Sequence, residues 1–193
     1  MIDRFKAGIN PPGDEDAREH DALVTALPLI IQQSMNQDLD LDKVFTLLTQ
    51  DPFALKHHQA EAFLISQYIQ GSADPVKATK EKFKENEDIF NEISAVEDEK
   101  ASGGQAKHLV KKFGMACPVP GSFQSSLVSI IGASSYSDAI RETILCGGDS
   151  CTRAILIGAC LGAKFGIQAI PQEWLTRVND IEIIIEKAIK CFS

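Results

Sequence analysis

Apolar residues along this chain return every three or four positions and almost never every second one. That period is helical. From Asp21, the positions Ala22, Leu23, Ala26, Leu27, Ile30 and Ile31 mark a first long helix, and Pro28 inside the run is expected to kink it or to mark its real start. Leu41, Val44, Phe45 and Leu48 mark a second segment. Asp51-Pro52 and Asp74-Pro75 each place an N-cap residue ahead of a proline at the first helical position. The helix opened at Asp51 is predicted to run to Ile69, with Gly71 as its stop.

Residues 76–101 read as two charged helices broken near Asn86, and Gln105 to Phe113 as a short helix ended by Gly114. Ser122–Ile131 and Tyr136–Leu145 follow, each entered through a serine or aspartate region. Then come an Ala/Gly-rich helix to Gly166, a short helix opened at Pro171, and a last one from Asn179 to Cys191. No strand run and no hairpin signal interrupts them. The predicted class is therefore all-α: a flexible lead-in over residues 1–20, broken by Asn10-Pro11-Pro12-Gly13, and one multi-helix domain over 21–193.

Composition narrows the reading. The chain has 193 residues, 44% of them hydrophobic and 24% charged, enough apolar material for one core. A formal net charge of −8 argues against a nucleic-acid binder, whose footprint would be basic. The N-terminus lacks the apolar stretch of a signal peptide, and the longest apolar run, Ala154 to Ala163, is too short to cross a bilayer. Five cysteines at irregular spacing, without a C-x-x-C pair, point to reduced thiols in the cytoplasm.

Ala154, Gly158, Gly162 and Gly166 fall four residues apart on one helical face, which Ala159 and Ala163 widen. Glycine inside a helix costs roughly 0.5–1 kcal/mol relative to alanine, so this face is expected to be packed closely by neighbours. Ahead of it stands Gly147-Gly148-Asp149-Ser150-Cys151-Thr152. The spacing fits two readings: Asp149 as a plain N-cap after a glycine turn, or Asp149 and Thr152 as oxygen ligands of a hard divalent cation. The adjacent His57 and His58 are expected on a helix surface, pointing to different sides, with His20 and His108 isolated. Trp174 reads as a core or helix-anchoring residue.

The Gly-Gly-Asp-Ser-Cys-Thr stretch, the Ala/Gly-rich helix and Ile170-Pro171-Gln172-Glu173-Trp174-Leu175 together resemble the C-terminal signature of the ADP-ribosylglycohydrolases. Pro120-Gly121-Ser122-Phe123-Gln124 and Ala139-Ile140-Arg141-Glu142-Thr143-Ile144-Leu145 are similar to its J1-crystallin branch. The strong match covers roughly residues 113 to 180, so the resemblance implies the C-terminal portion of an incomplete family fold. It also implies two Mg²⁺ ions in a cleft and hydrolysis of ADP-ribose from an acceptor. Asp149 and Thr152 stand where the family has metal ligands, and Cys151 replaces an expected aspartate. Gly147 and Gly148 would cradle the nucleotide phosphates through their amides. ADP-ribose or an ADP-ribosylated substrate is the implied partner. The Thr-Asp-Asp metal motif of the family's N-terminal half is absent, so activity is expected to be impaired or lost. The alternative is a structural, crystallin-like protein with no catalysis. Uncovered apolar surface implies a homo-oligomer.

Overall fold

A computed structural model describes residues 2–35 and 38–192. Among them lie twelve α-helices and no strand. The helices are α1 (Ile2–Lys6), α2 (Asp21–Ser34), α3 (Leu41–Phe45), α4 (Pro52–Ile69), α5 (Pro75–Lys82) and α6 (Glu87–Ala101), followed by α7 (Ala106–Phe113), α8 (Gly121–Ile130), α9 (Tyr136–Leu145), α10 (Ser150–Phe165), α11 (Gln172–Leu175) and α12 (Ile181–Phe192). No helix among the described residues is long and apolar enough to cross a membrane.

Local chemistry starts most of these helices where the sequence says it should. Asp51 accepts hydrogen bonds from the Phe53 and Ala54 amides, Asp74 from Lys77, and Asn86 from Ile89. Such caps satisfy orphan N–H groups and contribute about 1 kcal/mol each. Pro28 is not a start. The helix begins at Asp21 and runs through the proline, whose ring faces solvent while Ala22, Leu23, Ala26 and Ile30 are buried around it. Packing of that apolar face outweighs one missing backbone bond.

The core is built around α4 and α10, which pack on each other; α2, α3 and α5 lie against α4, and α8 and α9 against α10. Phe45, Leu64, Phe123, Leu127, Leu156 and Ile157 are fully buried between them.

The flexible lead-in needs correction over its second half. Helix α1 buries nothing, but residues 11–20 are stitched to the body. Asp14 bridges Thr49, the Gln50 side chain donates to the Pro11 carbonyl at 2.6 Å, and the Thr49 hydroxyl donates to the Ala17 carbonyl at 2.5 Å. Arg18 donates to Asp51 at 2.7 Å, while the Val119 amide donates to the Arg18 carbonyl. Gly13 is buried where a side-chain carbon would lie 2.5 Å from the Thr46 carbonyl oxygen, so only glycine lets the strap seat. Proline and glycine end helices; they do not prevent an extended segment from hydrogen-bonding to its neighbours.

Candidate functional site

The loop between α9 and α10 is held from several sides. Gly147 and Gly148 have φ of 77° and 67°, a region that favours glycine, and a side chain on Gly148 would run into the Met115 carbonyl. The Gly147 amide donates to Ile144, the Asp149 amide to Met115 at 2.7 Å, and the Ser150 amide to Gly148. Beneath the loop lies Arg153, 1% exposed. Its guanidinium donates to the Thr143 hydroxyl and carbonyl at 2.8 and 2.9 Å, and to the Gly147 carbonyl at 2.6 Å. The sequence reading missed this residue, because an arginine in a helix ordinarily signals surface.

Asp149 caps α10. One carboxylate oxygen accepts the Thr152 amide at 3.1 Å, and the other accepts the Thr152 hydroxyl at 2.7 Å. Those two bonds hold the carboxyl below its ordinary pKa. The two residues singled out from the sequence are therefore brought together, as a cap and its first turn. Cys151 between them is exposed, and Cys117 nearby has its thiol pushed up by burial and by the carboxylates of Glu19 and Asp149. Among the described residues, no group of three or more His, Cys, Asp or Glu side chains is arranged to hold a metal ion. Trp174 lies half-buried against Tyr136, with the Arg141 guanidinium 5.1 Å from its ring centre, which anchors α11 to α9.

The histidines reverse the surface expectation. His57 and His58 are both 0% exposed and His20 is 2% exposed. They do point different ways. His58 Nδ1 lies 3.0 Å from one Glu61 oxygen, and His20 Nε2 lies 2.8 Å from the other. Burial works against the charge of both Glu61 and His20. The mutual attraction outweighs it, holding the Glu61 carboxyl well below its ordinary range and raising His20 above its own. His57 faces the Phe53 carbonyl through Nδ1 and Glu92 through Nε2, each at 2.8 Å. Two acceptors favour an N–H on each ring nitrogen, and although burial works against the charged ring, Glu92 outweighs it and raises the pKa.

The Ser122 hydroxyl lies 3.0 Å from the same His20 nitrogen that Glu61 approaches. In a nucleophilic triad the acid must orient the opposite ring nitrogen from the one facing the hydroxyl. Here both crowd Nε2, and Ser122 is fully buried, so the cluster is a structural node joining the N-terminal strap, α4 and α8. His108 has no part in it.

Comparison with known proteins places this geometry. The profile of the ADP-ribosylglycohydrolase family matches residues 1–192, well beyond the stretch that carries the sequence signature. Crystallin J1A of Tripedalia cystophora is 29% identical over 191 residues, covering 97% of this chain and 58% of that protein. Crystallin J1B of the same animal is 27% identical over the same shares. The chain thus spans 58% of the length of the curated relatives it matches. A solved structure described as an ADP-ribosylglycohydrolase-related protein complex superposes with a TM-score of 0.69 at 21% identity, over 99% of this chain and 66% of its own; it shares the all-helical fold.

Proposed function

This chain belongs to the ADP-ribosylglycohydrolase family, and from that premise we propose that it keeps the helical scaffold of the J1-crystallin branch without itself hydrolysing ADP-ribose from an acceptor. One observation carries the reading: both carboxylate oxygens of Asp149 already accept hydrogen bonds from Thr152. Magnesium takes octahedral oxygen coordination, and two adjacent dications need several carboxylates between them. Here one carboxylate and one hydroxyl satisfy each other, and the neighbouring Cys151 offers a soft sulfur. These residues do not fit a two-ion centre.

The loop amides argue in the same direction for the phosphate cradle. Of the two glycines read as the cradle, Gly147 donates its amide to the Ile144 carbonyl, and the Asp149 and Ser150 amides after them also donate to backbone carbonyls, which removes these three, though not Gly148, as donors to a nucleotide. That internal bonding favours the second reading, a structural role of the kind the crystallin name denotes. Unpaired thiols at Cys117, Cys146, Cys151 and Cys160 support our placing the chain in the reducing cytoplasm.

Calorimetry with ADP-ribose, with and without Mg²⁺, run beside a release assay on an ADP-ribosylated protein, tests both readings. We expect no turnover and no magnesium-dependent heat. Heat with ADP-ribose alone retains the family ligand without catalysis, and silence throughout leaves the structural role. Mg²⁺-dependent release of ADP-ribose that disappears in Asp149→Ala overturns both.

A further inference from the structure

Helix α4 sets Lys56, Gln59, Phe63 and Ser66 at spacings of three and four, which puts them on one face. That face is one wall of a groove of about 490 Å³, whose other residues come from α3, the end of α5 and the C-terminal part of α2 with the loop after it. The buried Leu41, Phe45 and Ala62 give it an apolar floor. The rings of Phe63 and Phe83 are half-buried in it, 6.2 Å apart and edge to face. Its size, and an apolar lining with a few polar groups, are those of a small-molecule site, and it shares no residue with the Asp149 loop.

The charged groups of this groove are unequally committed. Asp40 accepts the Lys43 amide at the start of α3 and faces the Lys43 ammonium at 3.2 Å, and Asp42 accepts the Gln59 side-chain amide at 2.7 Å. The lysines are not matched in the same way. Lys56 donates to the Gln59 side-chain oxygen at 3.0 Å, and Lys82 stands 6.0 Å from the centre of the Phe63 ring. Among the described residues neither ammonium lies within ion-pair distance of a carboxylate. With Asp40 paired to Lys43, Asp42 balances one of the two and leaves a positive charge in excess. The whole chain carries a net charge of −8, so an anion gains nothing from the overall field and owes any place here to these side chains.

We propose that the groove between α3, α4 and α5 is a binding site for a small aromatic acid. The ligand ring packs on Phe63 and Phe83, offset or edge-on as aromatic pairs prefer, and its carboxylate meets the Lys82 ammonium. Lys56 lies seven residues before Phe63, two helical turns or about 10 Å along the axis, so it is placed for an acceptor at the far end of the ligand. An aliphatic acid offers no ring to the phenylalanines, and an aromatic amine is repelled by both lysines. The site is independent of any turnover of ADP-ribose.

The test is titration of the isotope-labelled chain with naphthoate, followed by the amide shifts of its NMR spectrum, with naphthylmethylamine and decanoate as controls of charge and of ring. Saturable shifts are expected at Gln59, Phe63, Ser66 and Phe83. The amine is expected to bind about tenfold more weakly and decanoate about fivefold more weakly. Both lysines are exposed, so Lys82→Gln and Lys56→Gln remove charge without touching the core. Lys82→Gln is expected to weaken naphthoate about fivefold, and Lys56→Gln by less. The absence of saturation below millimolar naphthoate overturns the proposal. So does equal binding of either control, a set of shifts centred on another part of the chain, or an affinity that Lys82→Gln leaves unchanged.

Discussion

Two acidic residues of this molecule sit in opposite circumstances. Asp149 is near the surface, and its carboxylate is satisfied within one helical turn by Thr152. Glu61 is fully buried, and its carboxylate faces one histidine a turn away, which hydrogen-bonds one oxygen, and another from a different part of the chain, which lies within ion-pair distance of the other. The first arrangement is local, screened by water and replaceable. The second binds three elements together in a medium where an unmatched charge has nowhere to go. The residue whose sequence pattern suggested a metal ligand is the one the fold is expected to spare.

Glu61→Gln is the strongest way to break that contrast. It removes the anion facing two buried imidazoles, and breaking a buried pair costs about 3–5 kcal/mol. Urea unfolding measures it; a loss below about 1 kcal/mol would place the cluster among exposed, weakly coupled ion pairs.

The pH dependence comes next. His20 and His57 have folded pKa values above the ordinary 6.5, so their contribution is complete below that value and is lost as pH rises through the folded values. Glu61 is lowered from 4.5, so its contribution is complete above 4.5 and fades as pH falls. Stability is expected to peak between about pH 4.5 and 6.5 and to decline toward alkaline pH. His57→Gln should flatten part of that alkaline decline. Thermal unfolding across pH 4 to 9 checks it, and stability that still climbs above pH 7 contradicts it.

Asp149→Ala should cost only about 1 kcal/mol, the loss of a cap. A loss as large as that of Glu61→Gln would erase the distinction between the two sites. The smallest effect is expected from Cys151→Asp. With no further carboxylate gathered there, restoring the aspartate should leave Mg²⁺ affinity unchanged by calorimetry. A sharp gain would reveal ligands beyond Asp149 and Thr152.

What could be read from the sequence divides along the same line. The helix starts at Asp51, Asp74 and Asn86 and the stop at Gly114 were legible, because caps and stops act within a few residues. The Asp149 cap was legible for the same reason, and its glycine turn with it. The burial of His57 and His58 was not. Their charge partners are Glu92, on a different helix, and Glu61, which needs His20 from the strap as well. Helix α4 is also enclosed on more sides than its weak apolar pattern suggests, being packed by α2, α3, α5 and α10. Arg153 was illegible on the same grounds: its guanidinium reaches the Thr143 and Gly147 carbonyls at the end of α9 only once α10 has folded back on that helix.

The seating of the N-terminal strap has a practical consequence for anyone engineering the chain. A tag or fusion placed ahead of Ile9 touches only α1, which buries nothing. Trimming back to Asp21 would withdraw the His20 ring from beside Glu61 and leave His58 to face that anion alone in a dry interior.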